Sequence, residues 1–172
     1  MTGDHSGKAG EEEGHQALHA VRDKNAYAAL GRTVSYLMTK PSFARLNFGH
    51  LSRLLTGQIN RRHYFLVMRG QKMVGFVGWA LVSESAAKAW VEERSDLGSD
   101  QCVDGDCMVI NAWAADSDAI NRFVLKELRK SAVGLRAAYA KRFYKDGRVR
   151  PLRVEITEAL ENHVRTEQPE TV

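Results

Sequence analysis

Two histidines are the side chains in this sequence best suited to move a proton in a reaction, His50 and His63. A neutral imidazole, with an ordinary pKa of about 6.5, can accept a proton from an amine near neutral pH. Asn111 lies within an apolar run, and its side-chain amide could donate a hydrogen bond to an oxyanion, although pairing with the backbone also explains a buried Asn. The sequence therefore offers candidates for a general base and for an oxyanion donor.

Other site chemistries have little support in the sequence. Cys102 and Cys107 are the two cysteines, and without a secretion signal such a pair is typical of free thiols. No second Cys or His pair stands at ligand spacing, which predicts that the protein binds no metal. We also expect no bound cofactor. No apolar run approaches the roughly 18 residues of a membrane span, and the acidic N-terminus is unlike a signal peptide. These features predict a cytoplasmic protein.

Charge is concentrated in one stretch of the 172-residue chain, whose formal net charge is +4. Residues 122–153 contain eleven Lys and Arg against only Glu127 and Asp146. A basic surface of this kind attracts an acidic carrier protein, nucleic acid or an anionic membrane, although a solvated helix face with a cationic C-terminus also explains it.

The elements that must position these residues follow from hydrophobic periodicity. Residues 1–22 are polar and acidic and predict a disordered tail. Helical spacing over 25–38 and 42–56 predicts two helices, since Pro41 ends the first and Gly57 the second. Residues 64–68 and 73–80 predict a hairpin of two strands with a turn at 69–72.

The second half of the chain alternates helix and strand. The pattern predicts a helix over 83–93 and a polar loop over 95–105. Residues 107–113 are almost wholly apolar and predict a strand that is buried on both faces at the centre of the sheet. A capped amphipathic helix over 118–131 follows, and then strands over 135–144 and 152–156 around a turn at Asp146-Gly147.

This order predicts an α+β domain over 23–158, with a mixed sheet and flanking helices, followed by a polar tail over 159–172. The order is similar to a GNAT-like acyltransferase core. However, nothing after the 107–113 strand has the Arg/Gln-x-x-Gly-x-Gly/Ala pattern that would hold the pyrophosphate of coenzyme A at a helix N-terminus. An ordinary coenzyme A acetyltransferase is therefore disfavoured.

Several short motifs extend the comparison over most of the chain. They are Leu30-Gly31 with Val34-Ser35-Tyr36-Leu37, the strand 64–69, the block Val74-Gly75-Phe76-Val77-Gly78-Trp79-Ala80 with Ser83, Gly105-Asp106, Trp113, Ala115 and Arg136-Ala137. Together they resemble the toxin-activating lysine acyltransferases, the HlyC/CyaC type that fatty-acylates internal lysines of RTX toxins. The Trp79 block is the most specific part, although a buried Trp beside Gly is also common core packing.

The family's two catalytic side chains are absent from the matching positions. The family His precedes an Arg in a Ser-Pro-x-His-Arg segment, and Ala44 stands there before Arg45. The family Asp falls on Ala112, or on Asn111 if the alignment slips by one. His50 is the first candidate for a replacement base because it lies in the same segment, although six positions on one helix would put it about 240° from Ala44. We expect Ala44 and Ala112 to meet at the mouth of a cleft beside Trp79 and Trp113.

The resemblance implies transfer of a fatty acyl group from acyl carrier protein to a lysine of a client protein. It implies a donor-binding role for Trp79, Trp113 and Arg136. The implied docking surface for the carrier is the basic helix, with Arg122, Lys126, Arg129 and Lys130. An alternative is an inactive family member that works as a binding or regulatory module. A weaker alternative is nucleic-acid binding through the basic and aromatic residues from Arg142 to Arg150, which a half-buried strand also explains.

Overall fold

A six-stranded sheet with five helices makes up the part of the chain that the structure describes. The computed structural model describes residues 16–92, 95–144 and 146–157. Its strands are β1 (Leu18–Val21), β2 (Tyr64–Arg69), β3 (Lys72–Val82), β4 (Cys107–Ala115), β5 (Ala137–Phe143) and β6 (Val149–Glu155). Its helices are α1 (Ala26–Leu37), α2 (Pro41–Ala44), α3 (Phe48–Asn60), α4 (Glu84–Glu92) and α5 (Asp118–Ser131), and a single 3-10 turn spans Asp100–Cys102.

The strands lie side by side in the order in which they occur along the chain, from β1 to β6. Neighbours are antiparallel except for β4 and β5, which are parallel because α5 carries the chain back between them. The sheet is therefore mixed, as predicted. The prediction that β4 is an inner strand is also confirmed, since β3 and β5 flank it and Cys107, Met108 and Val109 are fully buried.

Helices cover both faces of the sheet. On one face α1 and α3 pack against alternate side chains of β2, β3 and β4, including Phe76 and Ala112, and α4 covers the amino-terminal end of β4. On the other face α5 packs through Ile120, Val124 and Leu128. Because side chains alternate between the faces of a strand, neighbouring residues of β4 belong to different layers of the core.

The predicted helix over 42–56 is in fact two helices. Asn47 is the reason, because its side-chain oxygen accepts hydrogen bonds from the backbone amides of Gly49 and His50 and so caps a new helix. The angle of about 240° between Ala44 and His50, which assumed one continuous helix, is therefore wrong. The other three helices, α1, α4 and α5, lie within a few residues of their predicted bounds.

The predicted tail over 1–22 is wrong for its last residues, because Leu18–Val21 form β1 on the edge of β2. Leu18 and Ala20 pack on the α5 side and Val21 on the α1 side. A four-residue strand gives too short an alternation to stand out in the sequence, and its stability comes from the neighbouring strand. Residues 1–15 and the predicted tail over 159–172 lie outside the described residues.

Candidate functional site

The centre of the sheet contains a β-bulge in β4. Gly78 of β3 pairs with Ala112 and the next residue, Trp79, pairs with Ile110, so Asn111 is an extra residue without a partner across the ladder. A bulge bends a strand and redirects its side chains, and bulges are frequent next to active sites. Asn111, an expected oxyanion donor, therefore lies at the irregular point of the central strand.

The parallel pairing of β4 and β5 ends at this bulge. The two strands pair from Cys107 with Ala137 to Ile110 with Ala140, but β4 continues to Ala115 and β5 to Phe143. In the described chain no ladder joins 111–115 to 141–143. We call this region the strand split. Such openings at the carboxyl ends of parallel strands are the usual ligand sites of α/β sheets.

Gln58 of α3 holds the bulge residue in place. Its Nε2 donates a hydrogen bond of 2.6 Å to Oδ1 of Asn111, and the side chain is 1 % exposed. A Cβ at position 78 would lie 2.2 Å from Gln58 Oε1, so in this position the amide lies directly over Gly78. The sequence analysis missed Gln58, although a Gln between Leu55 and Ile59 on an apolar helix face was a usable signal.

The two alanines at the family's catalytic positions lie on the α1 and α3 side of the sheet. Ala112 is 3 % exposed in that core, and Phe43, next to the exposed Ala44, packs against the same core. Trp79 and Trp113 lie on the α5 side. The expected cleft with both alanines beside both tryptophans is therefore wrong, because consecutive residues of β4 point to opposite faces.

His50 is not brought to the bulge. It lies in the first turn of α3, eight residues before Gln58, which corresponds to about 12 Å along the helix axis. Its Nδ1 is 3.8 Å from Oδ2 of Asp96, and both side chains are exposed. His50 and Asn111 were both expected to be catalytic. The structure therefore does not bring them together.

His63 is the better buried of the two candidate histidines, and it stacks on Trp79. The ring centres are 6.1 Å apart at an interplanar angle of 13°. Burial lowers the pKa of His63, and Arg61 and Arg22 lower it further. The imidazole is therefore neutral at pH 7. Trp79 is only 3 % exposed, enclosed by His63, by Phe65 and by the guanidinium of Arg22.

The N-terminus of α5 directly follows the strand split. Ser117 caps it through a hydrogen bond from the amide of Ile120, and Asp118 lies in the first turn. The preceding Asp116 accepts a hydrogen bond from the Tyr36 hydroxyl at 2.9 Å and pairs with Lys40. Burial and Asp116 raise the pKa of Tyr36. Two carboxylates at this helix end disfavour a bound pyrophosphate, in agreement with the missing sequence pattern.

Arg136, expected to bind the donor, lies at the opposite end of the β4 and β5 pair from the strand split. Its guanidinium pairs with Glu84 and, at 2.6 Å, with Asp106. The pairing of β5 starts at the next residue, Ala137, and the split starts four residues later. The structure thus explains Arg136 as an ion-pair residue that joins α4 to the start of β5.

The basic residues expected to dock a carrier lie along α5. Arg122 and Lys126 are exposed, Arg129 and Lys130 are half-buried, and Lys130 pairs with Glu127 at 2.7 Å. Leu125 is 44 % exposed among them. This outer face of α5 therefore combines positive charge with an apolar side chain, the combination found at many protein interfaces.

Metal and thiol chemistry find no support in residues 16–92, 95–144 and 146–157. No group of three or more His, Cys, Asp or Glu there could hold a metal ion. Cys102 and Cys107 are free and buried, and burial raises the pKa of both thiols, which makes them poor nucleophiles. The helices of the described chain are all too short or too polar to cross a membrane.

Comparisons with known proteins identify a family and a fold. The model of the RTX toxin acyltransferase family matches residues 22–156. No curated protein matches the sequence. Among solved structures, the loading GNATL domain of CurA from Lyngbya majuscula is 10 % identical with a TM-score of 0.52, over 76 % of this chain and 67 % of that one. This likeness confirms the predicted α+β, GNAT-like fold.

A second solved structure is diaminobutyrate acetyltransferase EctA from Paenibacillus lautus, in complex with L-2,4-diaminobutyric acid and coenzyme A. It is 16 % identical, with a TM-score of 0.46, over 74 % of this chain and 67 % of that one.

Proposed function

The chain belongs to the RTX toxin acyltransferase family, and from this membership we propose that it transfers a fatty acyl group from acyl carrier protein to a lysine of an RTX-type client protein. The observation that carries the proposal is the bulge at Asn111 beside the strand split. The split supplies unpaired strand edge for an extended thioester arm, and the bulge supplies a side-chain amide where the arm would end.

The donor in this proposal is a carrier protein. Asp116 and Asp118 flank the N-terminus of α5, where a coenzyme A pyrophosphate would need positive potential. A carrier protein brings its thioester on an arm and makes its main contacts through an acidic surface. The basic outer face of α5, which begins next to the split, offers the complementary charge.

Asn111 has the central role in the proposed reaction. The lysine amine attacks the thioester carbonyl, a C–N bond forms, the C–S bond breaks and the carrier thiol leaves with a proton. Gln58 already donates a hydrogen bond to the Oδ1 of Asn111. The Nδ2 of Asn111 can therefore donate a hydrogen bond to the thioester carbonyl oxygen as negative charge develops there. The family positions, Ala44 and Ala112, carry no base, and His50 is two helix turns from Gln58. In this proposal the amine loses its proton to water.

A specific observation favours a second function, that of an inactive family member which binds the carrier or the client. Lysine is unreactive while protonated, and both members of the family's catalytic pair are replaced. Loss of such a pair costs several orders of magnitude in rate. The α5 surface and the split would remain useful for association alone.

One experiment separates the two functions. The full chain is incubated with acyl carrier protein that bears a radiolabelled palmitoyl group and with a lysine-containing client, and the products are washed in alkali. We expect alkali-stable label on the client lysine, lowered about a hundredfold or more in Asn111→Ala. Asn60→Ala, at the exposed end of α3, is the matched control and should keep full activity.

The remaining outcomes are informative. Carrier binding without transfer would establish the binding module and reject the enzyme. Transfer that survives in Asn111→Ala but disappears in His50→Ala would assign the reaction to a base at His50 and remove Asn111 from the mechanism.

A further inference from the structure

Four residues with guanidinium or imidazole side chains lie around the start of β2, although they come from two separate parts of the sequence, and the guanidinium of Arg61 lies back over Gly57 of α3. Arg61, Arg62 and His63 follow α3, and Arg22 follows β1. Nε of Arg22 donates a hydrogen bond of 2.7 Å to the carbonyl oxygen of Tyr64. The guanidinium carbon of Arg22 lies 5.7 Å from the ring centre of Trp79, on which His63 also stacks. We call these four residues the arginine cluster.

The end of α3 fixes the geometry of the cluster. The amide of His63 donates a hydrogen bond of 2.9 Å to the carbonyl oxygen of Gln58, and the amide of Arg62 donates one of 3.0 Å to the carbonyl oxygen of Ile59. This is a Schellman ending, in which Arg62 has the left-handed φ of 59° that favours glycine. An arginine at such a position suggests that its side chain is needed there.

The cluster lacks compensating negative charge in the described chain. Within 16–92, 95–144 and 146–157, no ion pair joins Arg22, Arg61 or Arg62 to a carboxylate. Asp23, the acid next to Arg22 in the sequence, pairs with Arg32 at 3.4 Å. Nε of Arg61 and Nδ1 of His63 are buried and have no hydrogen-bond partner among those residues. Like charges held together without a partner are unfavourable, and such groups mark functional sites.

The helix dipole does not explain the whole cluster. Cations are favoured after the last turn of a helix, which would account for Arg61 and Arg62. It does not account for Arg22, which reaches the site from β1 and is fixed there by the carbonyl of Tyr64. Burial lowers the pKa of Arg22, and the charge of Arg62 lowers it further.

We propose that the arginine cluster is a binding site for a phosphate-class oxyanion. The positive charge of three guanidinium groups is more than the single negative charge of a carboxylate would balance. It suits a phosphate monoester, whose charge is about −1.5 to −2. Guanidinium forks bind phosphate oxygens in pairs, and the buried imidazole becomes a further donor once an anion favours its protonated form. The cluster lies at the start of β2 and against Trp79 of β3, whose ladder partner Ile110 precedes the bulge residue. It therefore borders the proposed acyl site and does not include Asn111 or the strand split.

Imidazole NMR of the full chain tests this site without any need for activity. The His63 resonances are followed while inorganic phosphate, and separately 4′-phosphopantetheine, is added at constant ionic strength, with chloride as the reference. We expect saturable shifts with phosphate and an upward move of the His63 titration midpoint. Saturation by both ligands would assign a general phosphate site, and saturation by 4′-phosphopantetheine alone would assign the carrier's arm as the source.

Matched variants make the test decisive. Arg61→Gln and Arg62→Gln should each weaken binding roughly tenfold to a hundredfold, the usual effect of losing a hydrogen bond to a charged group. Arg53→Gln, an exposed arginine on the same helix, should bind as the parent does. Thermal unfolding with and without phosphate gives a second readout, since a ligand of the folded state raises the Tm. The proposal would be overturned if phosphate shifted the His63 resonances no more than chloride does. It would also be overturned if both variants bound phosphate as tightly as the parent does.

Discussion

In the proposed function, Asn111 keeps part of a site whose reactive groups are gone. The bulge separates it from the regular pairing of β4, and Gln58 fixes its amide. An amide stabilises negative charge but does not accept a proton near neutral pH. The residue therefore suits a reaction in which the acceptor amine arrives already neutral.

This property predicts the pH dependence of transfer. A lysine amine has a pKa of about 10.4, so its neutral fraction rises about tenfold per pH unit below that value. We expect initial rates of transfer to rise with that slope from about pH 7 to about pH 9. Rates measured with the palmitoyl carrier and a constant client concentration check this. A plateau that starts near pH 7 would mean that the protein supplies a base of its own.

His63 predicts a separate pH effect, on stability. Its pKa is lowered in the folded protein, whereas the unfolded chain should have the ordinary value of about 6.5. Between the two values the unfolded chain binds more protons, so the free energy of unfolding rises with pH through that window and levels off above it. Urea unfolding in phosphate-free buffers at a series of pH values measures this rise.

The matched variants for this measurement are His63→Gln and His19→Gln. The first should reduce the rise in unfolding free energy between acidic and neutral pH. The second, on an exposed position of β1, should leave the rise unchanged. Equal curves for the parent and His63→Gln would show that another group controls the acid stability.

At the scale of elements, two glycines are expected to respond in opposite ways to the same substitution. A Cβ at Gly105, in the turn before β4, would lie 2.1 Å from the backbone carbonyl of Val82, which cannot move aside. Gly31 is exposed in α1 and has open space around its would-be Cβ. We therefore expect Gly105→Ala to destabilise by about 2 kcal/mol or more, and Gly31→Ala to stabilise by about 0.5–1 kcal/mol.

Chemical denaturation of the two variants beside the parent measures both effects. Gly31→Ala is also the control for Gly105→Ala, because each adds one methyl group. A stable Gly105→Ala protein would show that the turn before β4 can open away from Val82.

The elements that were predictable are those whose pattern needs no tertiary information. The apolar run of β4 and the strong periodicity of α5 gave nearly correct bounds. The break between α2 and α3 depends on one capping side chain, Asn47, and β1 depends on the edge of a strand more than forty residues away. Among site residues, Asn111 was predictable from its polarity in an apolar strand. Gln58 carried a usable signal, since it is a polar residue on the apolar face of α3. The arginine cluster was not predictable, because contacts between distant segments bring Arg22 to the residues that follow α3.

At the scale of the whole molecule, charge should govern association with a carrier. The outer face of α5 brings several cations together, and attraction between exposed charges weakens as salt shortens the screening length. We expect the affinity for acyl carrier protein to fall steadily as NaCl rises from about 0.05 to about 0.5 M. Titration calorimetry at several salt concentrations measures this fall.

Charge-reversal variants locate the effect. Arg122→Glu combined with Arg129→Glu places two acids on one face of α5 and should weaken carrier binding by roughly tenfold or more. Arg53→Glu, on α3, changes the net charge by as much as each of the α5 substitutions does. It lies on the other side of the sheet from α5. A comparable loss in the α3 variant would indicate general attraction to the net charge rather than docking on α5.

The strands lie in the sheet in the same order as in the chain, and this order affects how the protein folds during synthesis. From β2 onward, every strand pairs with the one synthesised just before it, and the single parallel step needs only α5 between its strands. Most contacts therefore close short loops, which favours fast folding and stepwise assembly during translation. β1 must wait for its partner, since β2 emerges only after three helices.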